Sequence, residues 1–161
     1  MKLYTNRCYL LPITQEDFKD IKILYSDEIT RKFLGGTVLS LDFENKFKLI
    51  LEDKEASHWI IKSTLNKIFI GLITLDLHHD RKSKEISYQL ISNQFKKGYA
   101  FEVMQIVIRY CFESLKLDKV IAETQSSNIK SIQLLKKTGF TFDKTLYRFG
   151  ESQDLYIISK N

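Results

Sequence analysis

Glu85-Ile-Ser-Tyr-Gln-Leu-Ile-Ser-Asn-Gln-Phe-Lys-Lys-Gly-Tyr-Ala-Phe-Glu102 is the stretch on which the fold turns. Glu85 to Ile91 reads as a strand, and Tyr99 opens the longest helical pattern of the chain. In that helix Ala100, Val103, Met104, Val107, Ile108, Cys111, Phe112 and Leu115 make a core-facing stripe. Between strand and helix lies a basic loop containing Gly98. The first turn of a helix has unpaired N–H groups and a partial positive charge, so this point favours an anion. Gly98 lets backbone approach a ligand closely, small Ala100 does not block it, and Lys96 and Lys97 add charge. The plainer alternative is a turn glycine beside two surface lysines. Neither Gly-x-x-x-x-Gly-Lys-Ser/Thr nor Gly-x-Gly-x-x-Gly is present.

Upstream, Cys8 to Leu11 reads as a strand ended by Pro12, and Thr14 with Asp17 as a helix start carrying Phe18, Ile21, Leu24 and Tyr25. A short helix over Asp27 to Leu34 stops at Gly35-Gly36, and Ser40 is placed to cap a helix that buries Phe43, Phe47, Ile50 and Leu51. Trp59 to Ile61 and Ile68 to Leu77 form a hairpin, and Glu85 to Ile91 extends it into an antiparallel meander. Downstream come a strand at Val120 to Thr124, a helix at Ile129 to Lys137 ended by Gly139, and closing strands at Leu146 to Phe149 and Leu155 to Ile158. The order is β, α, α, a β meander, α, β, α, β, β, which predicts a single mixed α/β domain over residues 1–161.

Composition narrows the function. With 161 residues, 43% apolar and 28% charged, the chain suits one ordinary globular core. No apolar stretch approaches the ~18 residues of a membrane span, and the N-terminus does not read as a signal peptide, so a cytoplasmic protein without membrane partners is expected. Cys8 and Cys111 stand apart and form no ligand pattern with His58, His78 and His79; neither zinc nor a disulfide framework is expected. Cys111, on the helix stripe, reads as a buried inert thiol. His78 and His79 are placed at a strand end beside the turn Asp80-Arg81-Lys82. The net charge of +5 suits a polyanionic ligand without choosing one, and no pattern indicates specific nucleic-acid readout.

The second informative stretch is Val120-Ile-Ala-Glu-Thr-Gln-Ser-Ser-Asn-Ile-Lys-Ser-Ile-Gln-Leu-Leu-Lys-Lys-Thr-Gly-Phe140. A strand ends in a polar loop, Asn128 suits a helix N-cap, and Ser131 and Leu134 follow at one-turn spacing, with Leu134 placed to bury. Together the two stretches resemble the GNAT superfamily of N-acetyltransferases. The family's Gln/Arg-x-x-Gly-x-Gly/Ala loop corresponds to Phe95-Lys96-Lys97-Gly98-Tyr99-Ala100, with Phe95 departing from the usual Gln or Arg. The aromatic start, Glu102 and the string from Asn128 to Phe140 resemble the branch that acetylates ribosomal-protein N-termini.

That resemblance implies a mostly antiparallel, twisted sheet of about seven strands flanked by helices, with a V-shaped splay between two central strands. It implies acetyl-CoA as co-substrate and no metal. The pyrophosphate would lie on residues Phe95 to Ala100, pantetheine amides on the backbone of Leu90 and Ile91, and the coenzyme also on Asn128 and Ser131. The oxyanion is assigned to the Ile91 N–H and the departing thiolate to Ser131, because Leu135 stands where the family often has a tyrosine acid. Glu85 and Glu123, near the sheet opening, are the candidate bases. The acceptor is a primary amine, either a protein N-terminus or a small polyamine, amino sugar or amino acid. A non-catalytic coenzyme-binding regulatory module is the other reading, and the chain is expected as a monomer or homodimer.

Overall fold

The computed structural model describes residues 1–160. Strands β1 (Leu3–Tyr4), β2 (Cys8–Pro12), β3 (Ser57–Ser63), β4 (Phe69–Leu77), β5 (Lys84–Leu90), β6 (Lys119–Gln125), β7 (Thr141–Arg148) and β8 (Glu151–Ser159) form one sheet in the order β1-β2-β3-β4-β5-β6-β8-β7. All neighbours are antiparallel except β5 and β6. Helices α1 (Phe18–Ser26), α2 (Glu28–Arg31) and α3 (Ser40–Glu52) follow β2, α4 (Tyr99–Arg109) crosses from β5 to β6, and α5 (Ile129–Lys137) follows β6.

The parallel pair departs from its neighbours. β4 and β5 stay in register from Leu77↔Lys84 to Gly71↔Leu90, and β6 and β8 from Lys119↔Ser159 to Gln125↔Gln153. β5 and β6 share one bridge, Glu85↔Ile121. Beyond it they part, which opens the expected splay.

Each face of the sheet has its own core. Ile86 and Leu90 of β5, Val120 and Ala122 of β6, and Val103, Met104 and Val107 of α4 lie in one cluster. Leu72 of β4 and Ile60 of β3 join Ile21, Leu24, Phe43 and Phe47 of α1 and α3 in the other, with Ile91 packed alongside. Burying an aliphatic or aromatic side chain of this size contributes about 1.5–3 kcal/mol, so both helical layers are held by their apolar stripes. Successive residues of a strand alternate faces, so the even-numbered residues of β5 face α4 and the odd-numbered ones the opposite side.

Several local expectations change. Leu3–Tyr4 adds an eighth strand, too short to show a period. Ser40 is the first residue of α3, not its cap; Leu39 precedes it, and the Ser40 hydroxyl instead accepts from Lys22 Nζ at 2.8 Å. The α4 hydrogen-bond pattern gives way after Arg109 to a π turn over Tyr110–Ser114, where Tyr110 packs edge-on against Trp59. The closing hairpin is longer than its sequence suggests, because β7 is an edge strand exposed along most of its length and carries no burial period. Thr14 and Asp17 form the expected helix start, with the Asp17 carboxylate accepting the Thr14 N–H at 3.0 Å.

Gly71 lies opposite Leu90 at the mouth of the splay. A Cβ there would stand 2.1 Å from the Gln89 carbonyl oxygen and 2.8 Å from the Leu90 Cα, both backbone atoms that cannot swing aside. Gly71→Ala should therefore cost at least about 1–3 kcal/mol in urea denaturation; a cost below about 0.5 kcal/mol would contradict this packing.

Candidate active site

The splay widens toward the carboxyl end of β5, where the chain turns through residues 92–98 into α4. Gly98 is the N-cap residue of α4, with φ +83°, a left-handed conformation that glycine tolerates without Cβ strain. Lys96 is also left-handed, at φ 62°. Among the described residues no side chain caps α4. By contrast, the Asp27 carboxylate caps α2, accepting from the N–H groups of Ile29 and Thr30, and Asn128 caps α5, accepting from the Ser131 N–H at 3.3 Å. The amides of Tyr99, Ala100 and Phe101 thus begin a helix whose positive end meets no protein anion at the cap, and this fits a pyrophosphate. Lys96, Lys97 and Gly98 are exposed; Phe95 packs its ring against the core under α4 and so anchors the loop from below.

α5 lines the splay from the same side. The Tyr88 hydroxyl donates to Ser131 Oγ at 3.1 Å, linking β5 to α5. Burial pushes the Tyr88 phenol up more strongly than the Ser131 bond lowers it, so the hydroxyl stays protonated at neutral pH. Sequence reading missed Tyr88; only its even-numbered place on β5 marks it. The buried leucine of α5 is Leu135 rather than Leu134, which is partly exposed. A side chain at 135 lies in the core, not in the splay.

The backbone expectation at Ile91 is corrected. Its N–H donates to the Ile70 carbonyl at 3.0 Å and its carbonyl accepts from the Gln94 N–H at 2.9 Å, so both groups are already engaged. Ile91 turns its N–H toward β4, so strand alternation turns the backbone groups of Tyr88 and Leu90 toward the splay. The Leu90 carbonyl there accepts from the Thr30 hydroxyl at 2.7 Å, and its N–H remains the group aimed at the gap. α2 is fastened to this strand end at two further points: the Asp27 carboxylate accepts the Ser92 N–H at 2.7 Å, and Arg31 donates to the Gln89 side chain at 2.9 Å.

The odd-numbered face holds the two candidate bases in different surroundings. Glu123, with a side chain 6% exposed, accepts at Oε2 from His78 Nε2 and from Arg148 Nη1, each at 3.0 Å. His78 Nδ1 lies 3.3 Å from the Asp80 N–H and accepts it, which leaves Nε2 as the donor to Glu123. Arg148 also touches His79 Nδ1. His78, His79 and Glu123 bring three ligand-type atoms within 4.8 Å of one another, but the His78 Nε2 proton and the Arg148 guanidinium occupy the side a cation would need. Glu85, on β5 opposite Asp76, has no such direct partner among the described residues. Burial, reinforced by the charge of Glu123 and opposed by His78 and Arg148, pushes its carboxyl up to about 7. Cys8 and Cys111 are both buried free thiols, pushed up by burial to about 11 and about 12.

The acetyltransferase (GNAT) domain family matches residues 7–141. The chain belongs to this family: it is an N-acetyltransferase, and acetyl-CoA is the family's co-substrate. An uncharacterized N-acetyltransferase of Bacillus subtilis, YoaA, is 29% identical over 153 residues, covering 91% of this chain and 86% of YoaA. An acetyltransferase (GNAT family) from Bacillus anthracis superposes with a TM-score of 0.86 at 22% identity, covering 99% of this chain and 98% of that one. Spermidine N-acetyltransferase from Vibrio cholerae, solved with CoA and spermine, superposes with a TM-score of 0.78 at 20% identity, covering 94% and 95%.

Two measurements follow from this geometry. Gly98→Glu adds a side chain where φ is positive and a negative charge at the helix start, and should weaken acetyl-CoA at least about tenfold by calorimetric titration. A folded variant of unchanged affinity would sink the assignment of the loop. Glu85 is raised above its ordinary 4.5, so the folded state holds a proton that the unfolded state releases. Stability should then fall as pH rises from about 4.5 to about 7 and level off above, and Glu85→Gln should remove that slope from urea midpoints.

Proposed function

We propose that this chain transfers the acetyl group of acetyl-CoA to a primary amine within the splay between β5 and β6, with Glu85 as general base. The observation that carries the reading is that β5 bears two features, one at each end. Beyond its carboxyl end is an uncapped helix start suited to pyrophosphate, and near its amino end, on the far face, is a half-buried carboxyl whose proton is poised near neutral pH.

The two substrates meet from opposite faces. Pantetheine lies in the gap against Leu90, as an added strand pairs with an open edge, with Asn128, Ser131 and residues 95–100 holding the rest of the coenzyme. The amine approaches from the face of Glu85 and Gln89. Glu85 lies at the other end of β5 from Leu90, so water relays a proton from the ammonium to its carboxylate, and the free amine attacks the thioester carbonyl carbon. A C–N bond forms, the carbonyl oxygen takes the negative charge, and the Leu90 N–H stabilises it. As the C–S bond breaks, the nitrogen gives its second proton to water, and the thiolate leaves and takes a proton from the Ser131 hydroxyl; Tyr88 replenishes Ser131 and is reprotonated from solvent. Glu123 is better suited to holding Arg148 and His78 in place than to accepting the amine's proton, because both donors already occupy its Oε2.

A protein N-terminus is the acceptor we favour, on the motif that runs from Phe95 to Glu102. A small polyamine is the second reading: Asp76, Glu85 and Glu123 collect carboxyl groups on the acceptor face, and the Vibrio cholerae neighbour is a spermidine N-acetyltransferase. We place the reaction in the cytoplasm, where two unpaired thiols suit a reducing environment.

Melting curves with acetyl-CoA, against oxidised nicotinamide dinucleotide and ATP as controls, test the coenzyme. Acetyl-CoA at ~100 times its dissociation constant adds roughly 2.7 kcal/mol, and only acetyl-CoA should raise the melting temperature. Thiol release on a panel of peptides and polyamines then tests the chemistry. Activity should rise with pH through about 7, and Glu85→Gln should lower kcat about a hundredfold and abolish that limb. Coenzyme binding without turnover of any amine would favour a regulatory module instead.

A further inference from the structure

Arg7 stands in the turn between β1 and β2, some ninety positions in sequence from the Gly98 loop, yet it holds that loop from behind. Its own backbone is fixed on both sides: the N–H donates to Glu102 Oε1 at 2.8 Å, and the carbonyl accepts from the Thr64 N–H at 2.9 Å. From this anchored base the side chain makes three contacts. Nε donates to Glu102 Oε2 at 2.8 Å, Nη1 donates to the Lys97 carbonyl at 3.0 Å, and the guanidinium lies over the Tyr99 ring at 4.7 Å from its centroid. Nη2 comes within 3.3 Å of the point a Cβ on Gly98 would occupy.

The Lys97 carbonyl and the Gly98 N–H belong to one peptide unit, and among the described residues no peptide bond is cis. In a planar trans peptide the C=O and N–H point in opposite directions. A donor that captures the Lys97 carbonyl therefore fixes the Gly98 N–H on the opposite side of the peptide, away from the guanidinium. The same guanidinium neutralises Glu102, whose carboxylate in the first turn of α4 would otherwise repel a phosphate.

We propose that Arg7 is a positioning residue for the coenzyme: its fork between the Lys97 carbonyl and the Glu102 carboxylate aims the Gly98 N–H at the pyrophosphate. This inference rests on the reading of the Gly98 loop as the pyrophosphate site. Arginine is required because two planar donors must serve a carbonyl and a carboxylate at once. Lysine, a point charge on a flexible stem, supplies the charge without the fork.

Calorimetric titration of acetyl-CoA into the full-length chain and its Arg7→Gln and Arg7→Lys variants tests this, together with 15N spectra that follow the Gly98 amide, one of six glycine signals. Both variants should bind about tenfold more weakly, and in both the Gly98 amide of the unliganded protein should move from its wild-type position. Full affinity in Arg7→Lys would reduce the role to charge and overturn the proposal. Lowered melting temperature with unchanged affinity and an unmoved Gly98 signal would make Arg7 merely structural and overturn it as well. Failure of the wild-type chain to bind acetyl-CoA would remove the reading beneath it, and the proposal would fall too; tight wild-type binding with unaffected variants would sink the proposal alone.

Discussion

The parting of β5 from β6 is the constraint around which the rest of the molecule is arranged. Each of the two strands is bound along its length to its other neighbour, β5 to β4 and β6 to β8, so neither can bend to close the gap without breaking an antiparallel ladder. The single bridge at Glu85↔Ile121 acts as the apex of the V. Past it, backbone groups at Tyr88 and Leu90 lack the partner that a continuous sheet would supply. Unpaired strand groups bordering a core are costly unless something pairs with them, and an extended ligand rich in amides meets that need. The crossover helix α4 begins at the wide end, because it leaves from the carboxyl end of β5; ligands of sheets with parallel strands gather at that end for the same reason.

The strand that borders the gap also divides the chemistry between two faces. Its even-numbered side looks toward α4 and α5, where helix dipoles and the paired hydroxyls of Tyr88 and Ser131 suit the coenzyme. Its odd-numbered side carries carboxyl groups in unequal environments. The Glu123 side chain is buried with a guanidinium and an imidazole, and Glu85 is half-buried without a direct counterion among the described residues, so the cost of desolvation falls on its charged form.

Precision at the gap depends on bolts from distant parts of the chain. α2 holds the end of β5 through the Thr30 hydroxyl on Leu90, the Asp27 carboxylate on Ser92 and the Arg31 guanidinium on the Gln89 side chain. Arg7 does the same for the start of α4. Each contact is short and polar, and each terminates on a backbone or side-chain group next to the gap, so α2 and the Gly98 loop are both located relative to the gap.

Much of this was legible in the order of residues. Apolar stripes predict α4 and α5, a glycine between lysines and a helical run predicts the uncapped start of α4, and Asn128 predicts its own capping bond, because these depend on neighbours within a few positions. Tertiary structure alone decided the rest. Whether Leu90 or Ile91 faces the gap is a matter of one residue in the register between β5 and β4, which the local pattern Gln89-Leu90-Ile91 does not specify because both Leu90 and Ile91 are apolar and pack in opposite cores. Ser131 meeting Tyr88, Glu123 meeting Arg148 and Arg7 meeting Lys97 span 43, 25 and 90 positions respectively. Such pairings carry no local periodic signature, and that Glu123 receives a guanidinium while Glu85 does not is decided by the folded sheet, which brings Arg148 of the last hairpin over β6.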